Sequence, residues 1–265
     1  MIRVEKERMS VISPLFDGLE DSMVYSCLQG HMGAAYTVTP ENPQAALIVS
    51  GEYSFFSGDP CSNDAARIVR SLFDVIESGV TIGIFPENKP AWETTLMSVQ
   101  ENNPRAVPRY GIVQKDYDFD MTRLDSFIRA LPDGFTLVPF DEYIYDQAIS
   151  ETWSQEFCET FASAGDYLKQ GFGFAALHNR KLVSGASTMT VYDGGAEVQV
   201  ATREDYLRKG LAMPCAAALI IECVHRKIRP CWDAATLVSK NMALKLGYEY
   251  RGEYTTIHMI AAPAE

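Results

Sequence analysis

The window Glu197–Ala212, EVQVATREDYLRKGLA, constrains the fold more than any other stretch of this chain. It opens with alternating apolar and polar residues, the two-residue period of a strand. It then crosses a short polar loop and starts a helix at Gly210-Leu211-Ala212. A strand feeding a helix in this way is a building unit of an α/β layer. The same geometry makes an anion site, because the first amides of a helix lack internal acceptors and the macrodipole is positive there. Gly210 lets the backbone approach a phosphate, Ala212 leaves the first turn unobstructed, and Arg208 and Lys209 add positive charge. A pyrophosphate is the guest this pattern suggests. The plain alternative is a helix start without a ligand.

The neighbouring elements give that window a setting. Phe135–Phe140 reads as a strand, and residues 142–169 as two helices, the first holding Trp153 and Phe157. Strands Phe172–Leu177 and Leu182–Tyr192 flank a hairpin turn at Asn179-Arg180-Lys181, and Asp193-Gly194-Gly195 marks the next turn. A long helix is expected from about Arg208 to His225, then strand Pro230–Ala234 and a helix near Ser239–Leu246. Two closing strands are expected around Tyr248–Tyr254 and Thr256–Ile260.

The first half reads as an α/β layer of its own. A helical pattern covers roughly residues 10–30, Ala45–Tyr53 is a strand, and a helix over Ala65–Ile76 starts at Ser62, Asn63 and Asp64. Val80–Phe85 and Arg109–Gln114 are strands separated by a helix at Trp92–Gln100. DYDFD (Asp116–Asp120), the helix Met121–Leu131 and Pro132-Asp133-Gly134 form a connector. Two domains are therefore expected, residues 1–132 and 133–265, of which only the second is assigned a cofactor. The loop SGDPCSNDAARIV offers Gly58 but no glycine-opened helix and little positive charge before Arg67.

The net charge of −12 argues against general affinity for nucleic acid. It suits a cationic substrate, or simply an acidic surface that maintains solubility. The N-terminal MIRVEKERMSVISPLF does not read as a signal peptide, and no apolar run has the length of a membrane span. Six scattered cysteines and four dispersed histidines suggest neither a disulfide framework nor a metal site, and reduced thiols in a cytoplasmic protein fit better.

From residue 135 onward the order of elements resembles the GNAT N-acetyltransferase superfamily. YLRKGLA (Tyr206–Ala212) matches the Gly and Ala of the family's pyrophosphate loop, Q/R-x-x-G-x-G/A. WDAATLVSKNMALKLGYEY (Trp232–Tyr250) resembles its second signature, a strand and helix ending at Gly247-Tyr248. More narrowly, VQVATREDY, CWDAA and KLGY resemble the branch that includes the zwittermicin A resistance acetyltransferases. The resemblance implies a mixed sheet flanked by helices in the C-terminal half, acetyl-CoA as co-substrate without a metal, and a small-molecule amine as acceptor. The N-terminal α/β domain can be read as a degenerate GNAT-like half that shapes the acceptor site. The oligomeric state is not implied.

The resemblance also implies site residues. Leu207, Arg208, Lys209, Gly210, Leu211 and Ala212 would hold the pyrophosphate, and Val200, Ala201 and Thr202 would run beside the pantetheine arm. An amide of that strand would polarise the thioester carbonyl. Thr236 and Ser239 would offer hydroxyls, although both also read as helix caps, Ser239 the more so. Glu197 is the candidate base for the amine, with Gln199 sharing its facing; the alternative for Glu197 is a solvent-facing strand residue. Trp153, Phe157 and Tyr167 line the amine pocket or face a core, Trp232, Cys215 and Cys223 read as core, and His178 as exposed. Three positions depart from the family pattern: Leu207 replaces Gln or Arg, Thr236 replaces Asn, and Ala243 replaces the Tyr that commonly protonates the departing thiolate. These departures sustain a second reading, a non-catalytic acyl-CoA-binding or sensor protein.

Overall fold

Residues 1–262 are described by a computed structural model of the chain. Two compact units emerge, Met1–Arg109 together with the segment from Glu253, and Tyr110–Gly252. The division differs from the sequence expectation at residues 132/133. The physical reason is α4 (Met121–Arg129), whose Leu124 is fully buried in the same core as α7 (Ala212–Arg226). The expected connector is thus part of the second unit's packing, while the strand residues from Glu253 belong to the first.

In the first unit β1 (Ile2–Val4), β2 (Ala34–Thr37), β3 (Ala45–Ser50), β4 (Tyr53–Gly58) and β5 (Val80–Ile84) lie in one sheet. Its full order is β1-β2-β3-β4-β5-β12-β6, where β6 is Arg105–Val113 and β12 is Glu249–Ile260. Only β4 and β5 are parallel among the pairs from β1 to β12. The stretch read as one strand, Ala45–Tyr53, is a hairpin that turns at Gly51-Glu52, and the two expected closing strands are the single β12. The helical pattern of residues 10–30 resolves into short 3-10 turns followed by α1 (Ser22–Leu28). Helix α2 (Asn63–Arg70) starts where the sequence indicates, with Ser62 Oγ accepting the Ala65 N–H at 3.1 Å. With α3 (Ala91–Met97) it buries Ile68, Trp92 and Leu96 against Leu47 and Phe56, joined by Leu72 from the 3-10 turn after α2.

The second unit is built on a five-stranded sheet of order β11-β10-β9-β8-β7. Its strands are β7 (Thr136–Pro139), β8 (Gly173–His178), β9 (Lys181–Tyr192), β10 (Gly195–Thr202) and β11 (Arg229–Cys231). Neighbours are antiparallel except β10 and β11, which are parallel. The β8–β9 turn places Asn179 and Arg180 at φ 51° and 66°, the left-handed pair that matches the twist of a tight hairpin. Helix α7 covers one face, burying Leu219 and Ile220 with Val198, Trp232 and Tyr248. The other face carries α5 (Glu142–Ser150), a 3-10 turn at Gln155–Phe157 and α6 (Ala164–Gln170). Trp153 and Phe157 are therefore not on a helix, as the sequence suggested. Phe157 is fully buried against Phe140 at 5.7 Å, and the buried Tyr167 bonds Ser187 Oγ at 2.7 Å. Helix α8 (Leu237–Leu246) follows β11.

Two predictions follow from this packing. Leu124→Ala empties a fully buried position between α4 and α7 and should cost about 2–5 kcal/mol. Hydrogen exchange at the α7 amides is the readout, and a loss below about 0.5 kcal/mol would show that α4 is peripheral. Of the six cysteines only Cys61 is exposed. Native protein should therefore take up one equivalent of a thiol reagent rapidly, and Cys61→Ser should abolish that fast phase.

Candidate active site

The site begins where two parallel strands part. Strand β10 pairs with β11 through Gly195, Ala196 and Glu197, opposite Arg229, Pro230 and Cys231. Beyond Glu197, β10 continues to Thr202 along β9, while the chain after Cys231 leaves the sheet. The departing segment is held by other partners. Trp232 N–H donates to Gln114 Oε1 at 3.0 Å, and Gln114 Nε2 donates to the Trp232 carbonyl at 3.0 Å. Ala234 then bridges to Tyr110. The result is a wedge, one side of which is the β11-facing edge of β10 from Val198 to Thr202. Val200, Ala201 and Thr202, the predicted pantetheine-side residues, lie on that edge.

At the end of β10 the chain makes one 3-10 turn, Glu204–Tyr206, and enters α7 at Ala212 rather than near Arg208. The late start has a local cause. Arg208 (φ 61°) and Gly210 (φ 79°) are left-handed, which no right-handed helix accommodates, and Leu211 is the first residue in helical geometry. Alternating left- and right-handed residues fold successive amides into a concave nest that suits an anion. A Cβ on Gly210 would meet nothing within 4 Å, so glycine is required here for its φ and not for space. Leu211, Ala212 and Met213 supply the amides of the first turn, and Pro214 sits where its missing N–H sacrifices no helical bond. The lining is cationic and aromatic: Lys209 Nζ lies 4.4 Å and the Arg203 guanidinium 4.8 Å from the Tyr206 ring. Arg203 is also bonded twice to Asp205, at 2.7 and 2.9 Å. Tyr206 is held by its hydroxyl against His178 Nδ1 at 2.8 Å, so His178 is half-buried and bonded, not exposed. Leu207 is 51% exposed, an apolar side chain in place of the family's polar one.

At the other side of the wedge, the capping roles differ from the sequence reading. Thr236 is the N-cap of α8, its Oγ1 accepting the Ser239 N–H at 3.1 Å. Ser239 Oγ instead accepts the Trp232 indole N–H at 3.1 Å. Ala243 is fully buried in the core, and its carbonyl accepts the Gly247 and Tyr248 amides, both at 3.1 Å. Burial holds the Cys215 thiol up at about 12 and pushes that of Cys223 higher still, so both pack as small apolar groups.

Val198 and Val200 face α7, so Glu197 and Gln199 face the opposite side of the sheet. Glu197 is 9% exposed and its Oε1 accepts the Asp233 N–H at 3.2 Å, which rules out the solvent-facing alternative. Thr190 is directly across from it on β9. Gln199 Nε2 donates to Glu156 Oε2, on the turn that follows α5. Glu156 and Thr190 escaped sequence reasoning, because their placement depends on a partner 43 residues away or on strand register. A signal for Glu156 did exist in the acidic run from residue 141. Among the described residues no group of acidic, histidine or cysteine side chains could hold a metal ion, and no helix is long and apolar enough to cross a membrane.

The chain has relatives among known proteins. The family model for GNAT acetyltransferases matches residues 13–257, so the match takes in both compact units and not only the second half. The crystal structure of a GCN5-related N-acetyltransferase-like protein from Streptococcus suis 89/1591 is 32% identical, with a TM-score of 0.85 over 96% of this chain and 98% of that one. The uncharacterized N-acetyltransferase YdfB of Bacillus subtilis (strain 168) is 27% identical over 259 residues, 94% of this chain and 95% of that protein. A GCN5-related N-acetyltransferase from Kribbella flavida shares the fold at 15% identity, with a TM-score of 0.54 over 100% of this chain and 98% of that one. On this agreement of sequence, architecture and full-length coverage, the chain belongs to the GNAT acetyltransferase family.

Proposed function

We propose that this protein transfers the acetyl group of acetyl-CoA to a primary amine of a small molecule. The observation that carries the reading is the wedge itself, with an amide nest at one end and a buried carboxylate at its apex. The nest, α7 and the cations Arg208 and Lys209 suit a pyrophosphate, and the free edge Val200–Thr202 suits an extended amide-bearing arm. When bound, acetyl-CoA supplies an activated acyl carbon.

The chain's own residues then have distinct tasks. Glu197 accepts a proton from the incoming ammonium, which frees the nitrogen lone pair. That nitrogen bonds to the acetyl carbon, the carbon–sulfur bond breaks, and the electron pair leaves on sulfur, which takes up the second proton that the nitrogen sheds as it becomes an amide. A β10 amide at the wedge stabilises the oxygen of the tetrahedral species. Ala243 offers no proton. Ser239 takes the hydrogen-bonding part of that role: its oxygen already accepts the indole N–H, which leaves its own hydroxyl proton to point at the sulfur. The narrower resemblance to the zwittermicin A resistance branch supports a small aminated metabolite as acceptor. A second reading, acyl-CoA binding without turnover, draws on Leu207 and the buried Ala243.

Glu197→Gln separates the two readings. A transferase should lose about 10²-fold or more in kcat while calorimetry shows acetyl-CoA affinity within about twofold of the original. Unchanged turnover would remove Glu197 from the chemistry, and an absence of thiol release across a broad amine panel would favour the sensor. Gly210→Val tests the nest. The β-branched residue resists φ 79°, so acetyl-CoA binding should weaken about tenfold without a comparable loss of stability. Undiminished binding would place the anion elsewhere.

A further inference from the structure

We infer that Thr190 is a positioning residue for the base: its Oγ1 accepts the O–H that Glu197 acquires when it takes the proton of the amine. The inference rests on the acetyl-transfer reading above and adds a residue to the same site.

Three observations converge on it. Thr190 is fully buried and its Oγ1 has no hydrogen-bond partner, although a buried hydroxyl without one is costly. Thr190 also stands directly across the β9–β10 ladder from Glu197, so both side chains project to one face. Their Cβ atoms are then about 4.5–5.5 Å apart, a gap that the Cγ and Cδ of a glutamate can span. The third observation is the bulge that sets this opposition. The register shifts between Glu197 and Val198, which pair with Thr190 and Thr188, so Met189 is an extra residue of β9. In an unbroken ladder Met189 would face Glu197, and an apolar side chain would stand in place of the hydroxyl. Thr160 Oγ1 donates to the Met189 carbonyl and holds the bulged residue.

The chemistry of the base supplies what the hydroxyl lacks. An ionised carboxylate only accepts hydrogen bonds, and its partners serve it by donating, as the Asp233 N–H does to Oε1 at 3.2 Å. Once protonated, the same group carries a donor, and an N–H has no lone pair to receive it. Thr190 Oγ1 does. Rotation of the Glu197 side chain brings the new O–H onto those lone pairs, where it stays until solvent takes the proton after turnover. A bond made to the neutral form alone favours that form, so Thr190 makes Glu197 the stronger base. The other titratable groups around Glu197 are Cys231 opposite it on β11, Arg229 and Tyr192 on the two flanking strands, Asp233, Glu156 and Tyr248. Thr190→Val leaves all six in place.

The test follows the Glu197 carboxyl carbon by NMR in the full chain carrying isotope-labelled glutamate, with Glu197→Gln identifying its signal. In Thr190→Val, which keeps the shape and removes the hydroxyl, the titration midpoint should fall by about one pH unit. In Thr190→Ser it should stay at the native value. Over an amine panel with acetyl-CoA, the acid limb of thiol release in Thr190→Val should move down with that midpoint. Its kcat should fall about three- to tenfold, with acetyl-CoA affinity unchanged. Above the Glu197 midpoint, the urea midpoint of Thr190→Val should equal or exceed the native one, because the resting protein loses no bond. An unmoved Glu197 titration would overturn the inference, while turnover by the native protein would leave the transferase reading intact. A lower urea midpoint would show that the hydroxyl already serves the resting fold, and would overturn it too. Thiol release from no amine, with acetyl-CoA bound, would overturn the transferase reading and this inference with it.

Discussion

The site depends on the side-chain clamp that Gln114 places on Trp232. Two strands that start parallel can separate only if the backbone groups they abandon find other partners, since a buried unpaired amide or carbonyl costs about 1–3 kcal/mol. Gln114 supplies both at once, its oxygen accepting the Trp232 N–H and its nitrogen donating to the Trp232 carbonyl. The Tyr110–Ala234 bridge continues the substitution two residues on. Separation after Cys231 is thereby made compatible with a packed interior. The same divergence makes Glu197 the last residue of β10 to face β11, and turns the Asp233 N–H toward its carboxylate. One local exchange of hydrogen-bond partners thus opens the wedge and orients the group at its apex.

The features legible in the sequence are those that local physics fixes. Gly210 before a helix, Ser62 ahead of α2 and the turns at Asn179-Arg180 and Asp193-Gly194 each express a backbone requirement carried by a few adjacent residues. The order of elements in the second half followed from periodicity and turn residues, apart from the closing pair that is the single β12. What stayed hidden involved long separations. Gln114 and Trp232 are 118 residues apart, and nothing in either neighbourhood announces the clamp. The unit division could not be read because α4 looked like a connector, whereas its Leu124 belongs to the α7 core. Strand β4, YSFFSG, is missed beyond Tyr53 because its serines and glycine dilute the apolar signal. In the candidate site the sequence points to the loop and to Glu197 but not to the buried setting of that carboxylate, since burial is conferred by Asp233 and β9.

The misassigned caps show how small displacements alter chemical roles. Ser239 looked like the residue that starts α8, yet helix entry belongs to Thr236, three residues earlier. Freed from capping, Ser239 becomes the acceptor for the buried indole of Trp232. A residue that was a routine structural element becomes a hydroxyl with a fixed oxygen and an available proton. Ala243 moves the other way: burial and two amides on its carbonyl make it part of the helix terminus, a purely architectural position.

The charge distribution around β10 completes this picture. Arg203, Arg208 and Lys209 gather at the loop that leads into α7, the helix on the Val198–Val200 face. The acids of residues 141–170 gather on the opposite face, where Glu197 and Gln199 project. One strand therefore separates a region that attracts anions from one that attracts cations. Two substrates of opposite charge would be drawn to opposite faces of the same sheet. Alternation of side chains along β10 makes that sorting possible, because successive residues of a strand address the two sides in turn. The net negative charge of the chain, which taken alone says little beyond solubility, acquires a direction once its distribution over the fold is known.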